Sequence, residues 1–185
     1  MTPRTGMPVL ETGRLTLAPF TGAHARDVEN FARLWEVARY TSNIPHPYPQ
    51  GSALDFAFET EQLRRNGSGG LVFAVSPKGD ATTIGLIDIR PTDDGGEAEL
   101  GYAFSPLVWG RGVASEAARA VVGWGFDGLD LTVVVSRALV INPASCRVLQ
   151  KTGFRRIGNS TIFMPARDRD GLFEEYRLLR SEWHG

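Results

Sequence analysis

Small residues concentrate at one predicted junction between a strand and a helix. A strand at Glu97–Phe104 leads to a helix that begins near Val113, and Gly110, Gly112 and Ala114 lie at the junction. The start of a helix leaves backbone N–H groups unpaired and carries the positive end of the helix dipole. Small residues there let the main chain approach a diphosphate closely. The pattern indicates an anion site, although such glycines also serve simply to form a tight turn.

The common nucleotide-binding signatures do not describe this junction. It lacks the Gly-Lys-Ser/Thr ending of a Walker loop, and the third glycine of a Rossmann fingerprint is missing. Arg111 adds a positive charge between the two glycines. The expected site is therefore a short main-chain cradle with a cationic side chain nearby.

The elements that must position this junction predict an α/β (α+β) fold. Strands are predicted at 14–19, 71–76, 83–90, 97–104, 131–139, 154–163 and 174–179. Thr21 and Ser52 are predicted to cap the first two helices, and further helices are predicted at 113–126 and from Asn142 to Gly153. The result is a mixed, mainly antiparallel sheet of six to seven strands flanked by about four helices. One parallel pair of strands is predicted, with the helix at 113–126 in the crossover between them.

An apolar stripe marks the first predicted helix. It consists of Phe31, Leu34, Trp35 and Ala38 at spacing i, i+3, i+4 and i+7, which favours core packing for Trp35. The next segment, Asn43–Gln50, contains three prolines and cannot form the interior of a helix.

Composition limits the classes of protein that the chain can represent. The 185 residues suffice for one domain, predicted to span 1–185 with a disordered extension at 1–9. A net charge of -1 gives no reason to expect a nucleic acid partner. The single cysteine, Cys146, cannot form an internal disulfide, which fits a reducing cytoplasm. No residue spacing suits a metal ion, and no apolar run suggests a signal peptide or a membrane span.

Four segments, in the right order, resemble the GNAT acetyltransferases. The string EAELGYAFSPLVWGRGVASEA at 97–117 resembles the core of that family, closest to the branch of ribosomal-protein alanine and serine N-acetyltransferases. Leu10–Phe20 resembles the opening strand of that branch, and Ile84-Gly85 resembles the strand that leads to the core. Asn142–Phe154 resembles the second coenzyme A segment, Asn-x-x-Ser followed by Lys-x-Gly-Phe. The resemblance implies a GNAT fold and acetyl transfer from acetyl-coenzyme A to a primary amine, either a protein N-terminus or a small molecule.

The resemblance also implies which residues hold acetyl-CoA. The diphosphate is expected at the glycine junction, and the amide-rich pantetheine arm along the end of the strand at 97–104. Asn142 is expected to hydrogen-bond an amide of the arm, unless it serves only as a helix cap. The expected contacts are Ala103, Phe104, Ser105, Trp109, Gly110, Arg111, Gly112, Val113, Ala114, Ser115, Asn142, Ser145 and Arg147.

Two residues are the candidates for catalysis. Glu99 is the candidate base for the amine, with a solvated strand carboxylate as the alternative. Ser145 is the candidate donor to the departing thiolate, with a helix serine bonded to backbone as the alternative. The chain departs from the family at Leu149, where many members carry a tyrosine as general acid, and at Trp109, where the loop motif begins with Gln or Arg.

Acetyl transfer is expected to be direct, within a ternary complex, because no histidine is placed to activate Cys146. Two alternatives stay open. One is a transferase that uses another acyl-CoA, and the other is a non-catalytic acyl-CoA-binding module, which Leu149 and Trp109 favour. The expected partners are acetyl-CoA and an amine, without nucleic acid, membrane or metal. The chain is expected to be a monomer or a homodimer.

Overall fold

The computed structural model describes residues 6–92 and 96–185. Residues 1–5 of the predicted extension lie outside the described residues, as do residues 93–95 of the predicted turn at 91–96. Residues 6–9 are described, and Met7 packs against the core.

Eight strands and five α-helices make up the described part of the chain. The strands are β1 (Leu10–Glu11), β2 (Leu15–Pro19), β3 (Leu71–Pro77), β4 (Gly85–Pro91), β5 (Glu97–Phe104), β6 (Val133–Leu139), β7 (Arg155–Met164) and β8 (Arg169–Leu179). The helices are α1 (Ala25–Ala32), α2 (Trp35–Ala38), α3 (Ser52–Arg65), α4 (Val113–Gly128) and α5 (Pro143–Thr152).

The strands form one sheet in the order β1-β2-β3-β4-β5-β6-β8-β7. Every neighbouring pair is antiparallel except β5 and β6, which are parallel and are connected through α4. Parallel neighbours need a long crossover, which α4 supplies. The predicted mixed, mainly antiparallel sheet with one parallel crossover is confirmed. The strand count exceeds the predicted six to seven because of the two-residue β1.

The first predicted helix is divided into two, which explains the additional helix. Leu34 adopts an extended conformation between α1 and α2, with ψ 130°. The break changes the direction in which the following side chains point, so the predicted core packing of Trp35 is wrong. Trp35 is 48% exposed, whereas Phe31 is buried.

The predicted helix caps lie close to the observed ones but differ in detail. Thr21 precedes a 3-10 turn, Gly22–His24, and its backbone N–H donates to His24 Nδ1 at 3.1 Å. Gly51, with φ 86°, caps α3, and Ser52 is the first helical residue.

Helices cover both faces of the sheet. On one face α4 and α5 pack against side chains of the central strands, including Phe73, Ile87 and Leu100. On the other face α1, α2 and α3 pack against a second apolar cluster that includes Phe20 and Val72. Successive side chains of a strand point to opposite faces, so β3, β4 and β5 each contribute to both clusters.

The sheet separates at its centre. Pairing between β5 and β6 covers only Glu97–Glu99 against Val133–Val135. Beyond these residues β5 stays paired with β4 as far as Phe104, and β6 stays paired with β8 as far as Leu139. The two strands therefore diverge, and a wedge opens between their carboxyl-terminal halves.

A buried hydroxyl bridges the strands where the wedge begins. Ser136 of β6 is 4% exposed, and its Oγ donates to the Leu100 carbonyl of β5 at 2.9 Å. This contact satisfies a carbonyl that faces β6 where the ladder has ended. Ser136 therefore holds the two strands together at the point of divergence.

We expect Ser136→Ala to lower the free energy of unfolding by about 1–3 kcal/mol, because the Leu100 carbonyl loses its partner. Ser160→Ala is the matched control, since the buried Ser160 hydroxyl has no hydrogen-bond partner among the described residues. Urea denaturation of both variants measures the difference. An equal effect of the two substitutions would contradict the role given to Ser136.

Candidate active site

A cleft of ≈ 420 Å³ occupies the wedge between β5 and β6. Its walls come from β5, the loop after it, the first turn of α4, the end of β6 and the first turns of α5. The expected acetyl-CoA contacts that line it are Ala103, Phe104, Trp109, Gly110, Gly112, Val113, Ala114, Ser115, Asn142, Ser145 and Arg147. Two distant sequence segments thus meet at one cavity.

Two expected contacts lie outside the walls of the cleft. Ser105 is buried, its backbone N–H donates to the Ile84 carbonyl of the preceding strand connection, and its Oγ accepts from Leu107 N–H. Arg111 is exposed, and its carbonyl accepts from Arg14 Nη1 at 3.1 Å. These contacts give both residues a part in shaping the loop.

The glycine loop depends on backbone conformation. Gly110 and Gly112 have φ 74° and 75°, the left-handed region that favours glycine. A Cβ at Gly110 would meet nothing within 4 Å, so conformation rather than space requires glycine at that position. Gly112 caps α4, and its carbonyl receives Glu116 N–H at 3.0 Å.

An ion pair anchors the loop to the opening strands. Arg14 Nε donates to Glu116 Oε2 at 2.7 Å, and Arg14 N–H donates to Oε1 at 2.9 Å. Thr12 Oγ1 donates to the same carboxylate at 2.6 Å. Burial raises the pKa of Glu116, but these hydrogen bonds outweigh it and lower the pKa overall. The one acidic side chain in the first turn of α4 is therefore neutralised by Arg14 and turned away from the ligand site.

The first turn of α4 can hold an anion. Val113, Ala114 and Ser115 line the cleft, and N–H groups in a first helical turn have no partner within the helix. Arg147 and Lys151 of α5 line the same cleft and bring positive charge. A diphosphate at this position would meet backbone donors, the helix dipole and two cationic side chains. Lys151, which lies one helical turn after Arg147, is not among the contacts predicted from the sequence.

Backbone groups of β5 alternate between β4 and the wedge. Ser105 N–H is directed at β4, whereas the carbonyls of Leu100 and Phe104 are directed at the opposite side. Alternation therefore turns the N–H and C=O of Tyr102 towards the wedge, together with those of Phe104. An extended ligand can pair there, at Tyr102 and Phe104 rather than at Ala103 and Ser105. The period of a strand groups Tyr102 with Phe104, but only the observed hydrogen bonds show that this pair faces the wedge.

Trp109 reinforces the end of β5. Its indole Nε1 donates to the Phe104 carbonyl at 2.9 Å, and the side chain is 44% exposed at the mouth of the cleft. The indole therefore occupies one of the two carbonyls that face the wedge near its open end. The position that departs from the family motif thus has a defined structural contact.

Ser145 forms a pair with Tyr102, which is not among the site residues predicted from the sequence. Its Oγ lies 2.8 Å from the hydroxyl of Tyr102, and the Ser145 carbonyl lies 3.3 Å from the same hydroxyl, so the single phenol proton has two acceptors within reach. Burial raises the pKa of Tyr102 although the Ser145 hydrogen bond opposes it, so the phenol stays protonated. Leu149 is fully buried and has no acidic group. Both hydroxyls of the pair line the cleft.

Asn142 caps α5 as its alternative interpretation predicts. Its Oδ1 accepts from Ser145 N–H at 3.2 Å. The cap uses the oxygen of the amide, which leaves the NH₂ group for a second partner. Since Asn142 also lines the cleft, capping and ligand contact are compatible.

Glu99 lies at the closed end of the wedge within a row of alternating charges. Arg137 Nε is 3.1 Å from its carboxylate, and Arg90 Nη2 is 3.8 Å away. Arg90 Nη1 also contacts Asp88 at 2.7 Å. Burial raises the pKa of Asp88 to about 6, with Arg90 opposing the shift and Glu99 adding to it. Arg137 lines the cleft but Glu99 does not, so the Glu99 carboxylate contacts a residue of the cleft wall without forming part of that wall.

Side chains from α2 and the residues that follow it close the cleft on the face of the sheet that α1 and α3 cover. Val37, Tyr40 and Thr41 contribute to its wall. Nearby, the rings of Trp35 and His46 have centroids 5.2 Å apart, and the Arg167 guanidinium lies 5.5 Å from the Trp35 centroid.

Arg167 fixes this segment to the turn between β7 and β8. It donates to the backbone carbonyls of Ala38 and Ile44. The exposed Trp35 thus has a partner in this turn rather than in the core.

Two further observations concern residues 6–92 and 96–185. No group of three or more His, Cys, Asp or Glu side chains there is arranged to hold a metal ion. No helix in these ranges has the length and apolar character needed to cross a membrane.

Comparisons with known proteins agree on one family. A family model described as an acetyltransferase (GNAT) domain matches residues 14–155. The N-acetyltransferase p20 of Bacillus licheniformis, itself uncharacterized, is 27% identical over 183 residues, 97% of this chain and 100% of that protein. A solved GNAT-family acetyltransferase from Bacillus anthracis has a TM-score of 0.83 at 22% identity, covering 95% of this chain and 100% of that one. A ribosomal-protein-S5-alanine acetyltransferase from Vibrio fischeri has a TM-score of 0.77 at 16% identity, covering 97% and 100%.

We expect Gly112→Asp to weaken acetyl-CoA binding about 10- to 1000-fold relative to Gly112→Asn, as measured by calorimetry. Asn and Asp have the same size, and both tolerate the left-handed backbone better than most residues. Only Asp brings a negative charge towards the diphosphate, and added salt should narrow the difference. Equal affinities in two folded variants would rule out a diphosphate at this helix terminus.

Proposed function

The chain belongs to the GNAT acetyltransferase family, whose members transfer an acetyl group from acetyl-CoA to an amine, and we propose that the cleft between β5 and β6 is where it does so. The predicted fold and the predicted class of enzyme are both confirmed by this membership. The observation that carries the proposed location is the wedge itself. It joins the first turn of α4, which suits a diphosphate, to backbone groups of Tyr102 and Phe104, which suit the amide-rich arm.

The two candidate catalytic groups lie on opposite faces of the sheet. Ser145 belongs to α5, which packs on the same face as Leu100 and Phe104. Glu99 lies on the other face, which α1 and α3 cover, because strand side chains alternate. A thioester in the wedge would therefore present its sulfur to Ser145 and its carbonyl carbon to an amine that arrives from the Glu99 face.

The proposed reaction is a direct transfer. The amine nitrogen attacks the thioester carbonyl carbon, the new C–N bond forms, and the C–S bond breaks with its electron pair on sulfur. The amine proton passes to Glu99, directly or through water, and Ser145 donates a hydrogen bond to the thiolate. A thiolate is a fair leaving group, since a thiol has a pKa of about 8.5.

Cys146 does not suit a covalent intermediate. Its thiol is buried, and this burial raises its pKa, the opposite of what a nucleophilic thiolate requires. We therefore expect no acetylated enzyme after incubation with acetyl-CoA alone. A lone cysteine also suits our proposal that the protein works in a reducing cytoplasm, as a monomer or homodimer.

The acceptor is proposed to be a primary amine, either a protein N-terminus or a small molecule. The resemblance to ribosomal-protein acetyltransferases supports the first. Turnover of acetyl-CoA with a panel of peptides that differ in their first residue, and of small amines, tests the proposal. Release of thiol with one class of acceptor is the expected result. Saturable binding without release of thiol would favour a non-catalytic module, and turnover only with a longer acyl-CoA would favour a different donor.

We expect Glu99→Gln to lower turnover, by about 100-fold or more if the carboxylate acts as a general base. The loss should be greatest at low pH, because an N-terminal amine has a pKa of about 8 and few amines are then neutral. Glu97→Gln is the matched control on the same face of β5, two residues away. Equal pH profiles for the two variants would remove Glu99 from the mechanism and leave water as the base.

A further inference from the structure

The direction of the Ser145 hydroxyl proton decides whether Ser145 can act on a sulfur atom. Ser145 lies in the first turn of α5, two residues after Pro143. A serine in a helix commonly turns its proton back to a carbonyl three or four residues earlier. In that rotamer the hydroxyl offers only lone pairs to the cleft, and it would repel a thiolate.

Tyr102 supplies a second hydroxyl, whose hydrogen bond to Ser145 Oγ competes with donation from Ser145 to a backbone carbonyl. The two hydroxyl oxygens are 2.8 Å apart, and the hydrogen-bond partners of the phenol among the described residues both belong to Ser145. The Tyr102 ring is held on the face of β5 that packs against α4, with the Phe104 ring 6.2 Å away. The position of the phenol is therefore set by the strand and does not depend on the ligand.

We propose that Tyr102 is a positioning residue that donates its hydroxyl hydrogen to Ser145 Oγ and thereby directs the Ser145 proton at the departing sulfur. The inference rests on the proposed role of Ser145 as the donor to the thiolate. It adds a hydrogen bond from Tyr102 that orients the Ser145 proton, so that a serine can stabilise the thiolate where many relatives of the fold carry a tyrosine as general acid.

The single phenol proton has two possible acceptors, and Ser145 Oγ at 2.8 Å is nearer than the Ser145 carbonyl at 3.3 Å. Two properties of the phenol also favour donation to Oγ. A phenol is a better donor than an aliphatic hydroxyl, because its proton is more acidic. Burial keeps the phenol protonated, so the donor is always present. Hydrogen bonds in a chain polarise one another, so a Ser145 that accepts from Tyr102 becomes a stronger donor to sulfur.

The acidity of the thiol of bound coenzyme A provides a direct test. The thiolate absorbs in the ultraviolet, and its titration in the enzyme–coenzyme A complex needs no acceptor amine. Free enzyme at the same pH corrects for Cys146 and the tyrosines. We expect the bound thiol to be more acidic than the thiol of free coenzyme A, because a hydrogen bond to a charged group favours the thiolate.

We expect Tyr102→Phe to lower the acidity constant of the bound thiol about threefold to tenfold, and Ser145→Ala about tenfold. The double variant should equal Ser145→Ala, because Tyr102 acts only through Ser145. Tyr176→Phe is the matched control, since it removes a buried phenol hydroxyl that donates to Glu174 at 2.5 Å. That control should leave the bound thiol unchanged.

Each other outcome overturns a different statement. An unchanged thiol in Tyr102→Phe, with an altered one in Ser145→Ala, overturns the role of Tyr102 alone. Additive effects in the double variant also overturn it, because Tyr102 would then act on sulfur independently. An unchanged thiol in Ser145→Ala overturns the proposed role of Ser145 and this inference together. Affinity for coenzyme A, measured in parallel, should stay within about twofold in Tyr102→Phe.

Discussion

The cleft of this protein exists because the pairing between β5 and β6 stops after three residue pairs. β5 and β6 are paired at Glu97–Glu99 and then part, so the backbone of each strand faces open space on one side. In a continuous sheet the backbone N–H and C=O groups of β5 and β6 would pair with each other, and no passage would remain between the two faces. The separation is stable because each strand keeps its outer partner and because Ser136 closes the narrow end.

The surrounding elements follow from this separation. The α4 crossover is required by the parallel pair, and its first turn consequently lies beside the wedge. The same crossover places α5, after β6, against α4, so that Asn142 and Ser145 reach the cavity from the other strand. On the opposite face, charges alternate from Asp88 through Arg90 and Glu99 to Arg137, so the half-buried carboxylates are each next to a guanidinium.

Local signals in the sequence predicted much of this arrangement. Alternation in β5 and the cap, proline and glycine of α5 were sufficient to set their bounds, because each depends on residues within a few positions. The exposure of Trp35 could not be predicted in this way. It depends on a break at Leu34 and on Arg167, which lies 129 residues from Ala38 along the chain. Tyr102 was missed for a similar reason, since nothing near it in the sequence indicates that its hydroxyl meets Ser145 across 43 residues.

The ion pair between Arg14 and Glu116 also bears on the stage of folding at which the site can form. Its two ends are separated by 102 residues, and closing a loop of that length costs chain entropy before any contact offsets it. The glycine turn and the start of α4 can form early as local structure, but their attachment to the opening strands belongs among the long-range, slow steps. During synthesis the opening segment must wait, without its partner, until the chain has grown past Glu116. We therefore expect competence to bind a ligand to be acquired late, after the strands that flank the wedge have been brought together.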